Sequence, residues 1–144
     1  MPISQLEKTL TALAGEFAVA SRLCLKGYVA SLTLKNFPKA DIFCFNPKNG
    51  KQVVIQVKTK KGGRNYYVPE DVNKLSSIFV FVYINEDEKM DFFIAPSKEV
   101  AEISEKERQE YIAKHPNVSK KQPRMISTQA LQKFKDRWDL LGIE

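Results

Sequence analysis

Apolar residues in the first 24 positions recur at the spacing of a helix. They lie alternately four and three residues apart, at Leu6, Leu10, Leu13, Phe17, Ala20 and Cys24. This spacing forms one stripe of an amphipathic helix. Gly27 follows and supplies a helix stop. The chain is therefore predicted to begin with an amphipathic helix.

Strand patterns follow this helix. They occupy residues 28–34, 40–45, 51–59, 78–84 and 90–95. The second and third are joined by Pro47-Lys48-Asn49-Gly50, a tight-turn sequence that predicts a β-hairpin. The run at 78–84 is apolar throughout, as expected of a strand buried on both faces of a central sheet. Asn36-Phe37-Pro38 is predicted to be a break.

Helix signals are interspersed with these strands. Further helices are predicted to open at Pro69-Glu70-Asp71, to be capped by Ser97, to run from the capping box of Ser104 and Glu107 to before Pro116, and to span 128–141. The order of elements predicts an α/β fold with a mixed sheet covered by helices.

Composition sets the class of protein. A chain of 144 residues, 43% hydrophobic and 28% charged, is expected to form a single soluble domain over 1–144. Its longest apolar run has seven residues, too few to span a bilayer. The first residues carry neither a basic region nor an apolar signal segment, so a cytoplasmic location is expected. Two cysteines and one histidine exclude a zinc finger and a disulfide scaffold.

Charge is unevenly distributed. The chain has a net charge of +6, with no acid between Asp41 and Glu70 or between Tyr111 and Asp136. Residues 85–110 are acidic. If the two acid-free stretches meet in space, they form a phosphate-binding surface. The alternative is that both are ordinary solvated surface.

The hairpin predicts which side chains face each other. With 47–50 as the loop, paired residues have numbers that sum to 97, so Asp41 lies opposite Gln56. Alternation places Lys58 on the same face as Gln56, and Ile55 and Val57 on the other. A carboxylate, an amide and an amine then converge. They form either a structural ion pair at a sheet edge or a Mg²⁺ site with a lysine beside it.

These residues resemble a known family. Asp41 followed by Ile55-Gln56-Val57-Lys58-Thr59, behind a helix that contains Gly15-Glu16, is similar to the PD-(D/E)XK nuclease superfamily, especially its small bacterial and Holliday-junction-resolvase-like members. The resemblance implies a restriction-endonuclease-like αβββαβ core over about residues 4–95. Additional C-terminal helices over about 97–142 lie outside it.

The resemblance also implies an activity and a site. It implies a hydrolase, a Mg²⁺- or Mn²⁺-dependent endodeoxyribonuclease acting on DNA. Asp41, Gln56, Glu16 and the Val57 carbonyl would hold the metal, and Lys58 would be the catalytic lysine. Gln56 departs from the family, which has an acid there, because an amide carries no charge and holds a cation more weakly.

The remaining site residues are predicted to grip nucleic acid. They are Lys60, Lys61, Arg64, Tyr66, Lys120, Lys121 and Arg124. An alternative function is a weak or inactive nuclease fold that only binds nucleic acid or a protein, and a third is a structural module. Related nucleases are commonly dimers because a duplex has two strands, so a homodimer is compatible with the resemblance, although no surface identifies an interface.

Overall fold

A computed structural model describes residues 3–34 and 40–144, without the side chain of Ile3. Its helices are α1 (Ile3–Leu25) and α2 (Ser97–Lys114). Its strands are β1 (Val29–Leu32), β2 (Ile42–Phe45), β3 (Gln52–Lys61), β4 (Asn65–Tyr67), β5 (Ile78–Ile84), β6 (Met90–Pro96) and β7 (Met125–Ser127). The break predicted at Asn36-Phe37-Pro38 lies outside the described residues. Neither helix is long and apolar enough to cross a membrane.

Five strands form one mixed sheet in the order β1-β2-β3-β5-β6. β3 and β5 are parallel, and the other neighbours are antiparallel. The β2–β3 and β5–β6 hairpins confirm the predicted pairs. The mixed α/β fold is therefore the expected one.

Each face of the sheet has its own core. On one face Val19 and Leu23 of α1 pack with Ile55 and Val57 of β3. On the other face Phe79 and Phe81 pack with residues of α2, β4 and β7.

The first helix is present, but its predicted stripe is not the side that faces the sheet. Leu6, Leu10 and Phe17 are exposed, whereas Gly15, Val19 and Leu23 are buried. A Cβ on Gly15 would lie 1.7 Å from the Thr59 hydroxyl oxygen, so the helix meets β3 where its side chains are smallest. Close approach, rather than the number of large apolar residues, selects the buried side.

The predicted break between two C-terminal helices is absent, because 97–114 form one helix. Ser104 does not cap a second helix, since it is buried and its hydroxyl donates to the Ala101 carbonyl at 3.2 Å. The Glu107 carboxylate, expected to complete that cap, instead accepts hydrogen bonds from Ser127.

The segment opened by Pro69 is also not an α-helix. It holds one 3₁₀ turn, Val72–Lys74. The Val68 N–H donates to the Arg124 carbonyl at 3.0 Å, and the Leu75 carbonyl accepts from Ser97 at 2.8 Å. Because both ends are fixed, only a single turn fits between them.

The last predicted helix, over 128–141, is replaced by two 3₁₀ turns, Gln132–Phe134 and Trp138–Leu141. Between them Asp136 has a φ of 54°, which ends any right-handed helix. The Asp136 N–H donates to the Phe92 carbonyl of β6 at 2.8 Å. This hydrogen bond holds the C-terminal segment beside β6, the edge strand of the sheet.

Candidate active site

The β2–β3 hairpin has the predicted register. Ile42 pairs with Ile55 and Phe45 with Gln52, so paired numbers sum to 97. The alternation along β3 also holds, since Gln56 and Lys58 lie beside Phe79 and Phe81 on the face covered by α2.

Asp41, just before β2, departs from regular strand geometry. Its N–H donates to the Ile55 carbonyl at 2.9 Å, whereas its carbonyl accepts from Thr33 of the β1 side at 3.0 Å. In a regular strand both groups of one residue point to the same edge. The kink brings the carboxylate across the start of β2, where Oδ2 accepts a hydrogen bond from the Val57 N–H at 2.8 Å.

This bond fixes the direction of the Val57 carbonyl. Because the N–H and C=O of a strand residue point to the same edge, the Val57 carbonyl points toward Asp41. β2 begins at Ile42, so it has no strand residue opposite Val57. The carbonyl and the second carboxylate oxygen of Asp41 therefore lie at one notch in the sheet.

Glu16 of α1 contributes to the same place. A pocket of about 300 Å³ is lined by Glu16, Asp41, Thr9, Leu13 and Thr33. The structure thus brings the two predicted acids, Glu16 and Asp41, to one pocket.

Gln56 and Lys58 lie on the face of the sheet that α2 covers, and they do not line this pocket. Gln56 is only 4% exposed, and its amide nitrogen makes no hydrogen bond to any described residue. A buried amide without a partner is costly, which marks a position completed by water or by a bound group.

A basic groove continues from Lys58. This cavity of about 680 Å³ is lined by four lysines, Lys8, Lys58, Lys60 and Lys61, and by the single acid Glu7. Tyr67 also lines the groove and is 69% exposed. The groove has the charge and the aromatic edge that suit a nucleic-acid backbone.

Lys8 was missed by the sequence reasoning, although a signal for it exists. The buried positions Gly15, Val19 and Leu23 define the side of α1 that faces the sheet. Continued toward the N-terminus at the same spacing, that side passes through Thr11, Lys8 and Ser4, which line the groove. The stripe predicted from the large apolar residues lies on another side of α1, so the polar residues that line the groove were not predicted.

The oxygen groups at the notch suit a hard divalent cation. Mg²⁺ is commonly held by one or two carboxylates with water, and Asp41, Glu16 and the Val57 carbonyl supply that set. The described residues contain no cluster of three or more acidic, histidine or cysteine side chains. The set therefore contains two carboxylates.

The two acid-free stretches meet in space. β4 pairs with β7, so Asn65 lies opposite Ser127 and Tyr67 opposite Met125. The Thr128 N–H also donates to the carbonyl of Arg64, an exposed residue. Acidic residues of α2 contact the same region, because Arg124 pairs with Glu105 and the Ser127 N–H donates to Glu107.

Two residues predicted to grip nucleic acid are buried in the core. The Tyr66 hydroxyl donates to the Val82 carbonyl at 2.8 Å, and burial raises the pKa of Tyr66. Arg124 is 9% exposed, and it binds Ser104 and pairs with Glu105 and Glu70. Both side chains are engaged in holding the β4–β7 region together.

Lys120 and Lys121 lie elsewhere, in a shallow pocket that also contains Glu70 and Glu105. They are not part of the groove beside Lys58.

Cysteine chemistry is no alternative at the notch. Cys44 is buried in the α1-side core, and desolvation, with a smaller contribution from Cys24, raises the pKa of its thiol to about 11. Cys24, expected in the core, is exposed.

No protein-family model and no curated protein match this sequence. Solved structures do match. Hjc, a Holliday junction resolvase of the archaeal hyperthermophile Archaeoglobus fulgidus, superposes with a TM-score of 0.54 over 90% of this chain and 99% of its own, at 15% identity. The bacterial homing endonuclease I-Ssp6803I superposes with a TM-score of 0.52 over 92% of this chain and 90% of its own, at 17% identity. The chain has the restriction-endonuclease-like fold of these nucleases.

Proposed function

We propose that this chain is a divalent-metal-dependent nuclease that hydrolyses phosphodiester bonds of DNA. The observation that carries the proposal is the notch, where the Asp41 carboxylate is fixed by the Val57 N–H and shares a pocket with Glu16. Two carboxylates and a carbonyl at the start of β2, beside a lysine-lined groove, suit phosphoryl chemistry. The fold neighbours, a resolvase and a homing endonuclease, support the same class.

Each residue has a role in this proposal. Asp41, Glu16 and the Val57 carbonyl would hold Mg²⁺ or Mn²⁺, which would supply positive charge against the charge that develops on the phosphate. Lys58 orients the attacking water and stabilises the phosphate oxygens. Gln56, the neutral member, holds a water or phosphate oxygen through its amide.

The groove binds the DNA backbone. Lys60 and Lys61 line it with Lys58, and Lys8 faces them from α1. Tyr67, rather than the buried Tyr66, supplies an exposed aromatic ring. Arg64 extends the positive surface, whereas Lys120 and Lys121 lie in a separate pocket with Glu70 and Glu105, and Arg124 supports the structure.

Cleavage of supercoiled plasmid tests this function. Wild type is incubated with EDTA, Mg²⁺ or Mn²⁺, beside Asp41→Asn and Lys58→Ala. Asp41→Asn keeps an oxygen that can accept from Val57 but removes the charge, so the fold is retained and cutting is abolished. Asp87→Asn, in the exposed β5–β6 turn, is the matched control and should cut like wild type. Full metal-dependent cutting by Asp41→Asn would refute the assignment.

A second candidate is a nuclease fold that only binds DNA. The observation in its favour is Gln56, which leaves two carboxylates at the notch. Calorimetric titration of the intact protein with Mg²⁺ and Mn²⁺ separates the two functions. No uptake of either metal, together with salt-sensitive DNA binding, would favour the binding protein.

A further inference from the structure

A second pocket opens on the face of the sheet that carries Gln56. Its volume is about 520 Å³. The walls come from β2, β3 and the segment before β5, and include Phe43, Phe45, Gln52, Val54, Lys74 and Ser77. Gln52 and Val54 precede Gln56 on one face of β3, at steps of about 7 Å. The pocket therefore lies on the same face of β3 as Gln56 and Lys58.

Its walls combine aromatic and polar groups. Phe45 is 40% exposed and pairs with Gln52, so its ring lies at the open side of the sheet. Phe43 stands two residues away on the same face. α2 covers the face around Phe79 and Phe81 but not this corner.

Ser77 provides an independent observation. It lines the pocket and is 8% exposed, yet its hydroxyl makes no hydrogen bond to any described residue. Lys74 adds a positive charge, and the described lining contains no acid. An aromatic wall, an unsatisfied hydroxyl and a lysine match the three parts of a nucleotide, since a base stacks, its polar edge bonds and its phosphate pairs with a cation.

We propose that this pocket receives an unpaired nucleobase of the DNA strand that is cleaved, so that the preferred substrate is DNA with a single-stranded segment. Only the statement that the strand is cleaved rests on the proposed nuclease function. The binding of the base does not require that function. A base in a duplex is stacked and paired, and it reaches such a pocket only where the strands are separated.

Binding without catalysis tests the proposal. In EDTA, fluorescence anisotropy is measured for wild type with a single strand and with the matching duplex. Phe45→Ala and Lys74→Ala should weaken single-strand binding, the former by about tenfold, while duplex binding through the lysine groove changes little. Phe45→Tyr should retain the affinity. Phe17→Ala, which truncates another exposed phenylalanine on α1, is the matched control and should bind like wild type.

A fluorescent base gives a direct signal. 2-Aminopurine in the single strand should be quenched by wild type and not by Phe45→Ala, because stacking on the ring quenches it. Equal quenching by both proteins, or no single-strand binding by wild type, would overturn the proposal. So would a change from dimer to monomer in Phe45→Ala with unchanged single-strand affinity, since the face would then bind a second copy.

The two proposals fail separately. Plasmid cutting by wild type with no effect of Phe45→Ala on single-strand binding removes the base pocket and keeps the nuclease. Binding that depends on Phe45 without cutting in any metal removes the nuclease and keeps the base pocket.

Discussion

Gln56 is the residue on which the proposed nuclease chemistry depends most. In the resemblance to the PD-(D/E)XK pattern it matches the second acid, and its buried amide nitrogen has no partner among the described residues. We expect Gln56→Glu to raise the affinity for Mn²⁺ by about tenfold, because it adds a negative charge to the residue before Val57, whose N–H holds the Asp41 carboxylate. Isothermal calorimetry on the purified protein measures the change.

The matched control is Gln52→Glu. Gln52 lies on the same face of β3, two alternations earlier, and is exposed. It should leave metal affinity unchanged. Equal affinities in wild type and Gln56→Glu, with both folded, would place Gln56 outside the metal site and leave it only the role of a hydrogen-bond donor.

Gly15 lies where α1 closely approaches Thr59 of β3. A Cβ there would lie 1.7 Å from the Thr59 hydroxyl oxygen and 2.7 Å from the Thr59 Cβ. Although alanine favours a helix by about 0.5–1 kcal/mol over glycine, we expect Gly15→Ala to lower the free energy of unfolding by about 1–3 kcal/mol through overpacking. Urea unfolding measures it.

The Thr59→Ala background supplies the control for this prediction. It removes the hydroxyl oxygen and the methyl carbon that crowd the added Cβ, but not the Thr59 Cβ itself. The cost of Gly15→Ala should therefore be smaller in that background. A stabilising Gly15→Ala would show that the helix does not approach β3 this closely.

At the scale of elements, the β2–β3 hairpin and β5 were predictable, whereas β4 and the residues after α2 were not. The turn Pro47–Gly50 with alternation on both sides fixes the register, and the apolar run of β5 marks a strand that is covered on both faces of the sheet. Strands β4 and β7 have three residues each, too few for a pattern. Their pairing comes from tertiary contacts such as Glu107 with Ser127.

The helix predicted over 128–141 is absent for a similar reason. Leu131, Phe134 and Leu141 repeat at a helical spacing and are buried as expected. Their burial is achieved by two short turns, because Asp136 bonds to β6 and adopts a left-handed conformation. A periodic apolar pattern indicates which side chains are buried but does not fix the backbone.

Helix α2 is joined to the loop before β7 by an ionic cluster around Glu105. Hydrogen bonds from Gln109 and Arg108 lower the pKa of Glu105. A carboxylate whose pKa is lower in the folded state stabilises the protein above its unfolded pKa, and this contribution is lost as the pH falls through the folded value. Glu105→Gln should therefore destabilise the protein at pH 7 but not at low pH.

The effect is expected to be under about 1 kcal/mol, because the side chain is largely exposed to solvent. Urea midpoints of wild type and Glu105→Gln at pH 7 and pH 3 give the comparison. Glu102→Gln, at an exposed position on the same helix, should show no such difference. A gap between wild type and Glu105→Gln that widens as the pH falls would contradict the stated sign.

At the scale of the whole molecule, the sequence predicted the strand register at the candidate site but not the grouping of its side chains. The register placed Asp41 opposite Gln56, but the kink at Asp41 turns its carboxylate to Val57 and Glu16. That kink depends on bonds to two different strands, Thr33 on one side and Ile55 on the other. No local pattern in the sequence encodes such an arrangement.

The charge distribution of the whole molecule gives the last prediction. The net charge is +6, and four lysines line the groove with one acid. Each lysine that neutralises a DNA phosphate releases counterions, so the logarithm of the binding constant falls with the logarithm of salt concentration by about 0.9 for each contact. Lys60→Gln and Lys61→Gln should each make that slope shallower by about one unit in duplex DNA.

Lys98→Gln provides the comparison that separates contact from net charge. Lys98 lies exposed on α2, outside the groove, and its loss changes the total charge by the same amount. Fluorescence anisotropy between 50 and 200 mM salt, in EDTA, should give Lys98→Gln the wild-type slope. If all three variants shift the slope equally, binding follows net charge alone. If only the groove variants do, the DNA backbone lies beside Lys58, where the proposed chemistry requires it.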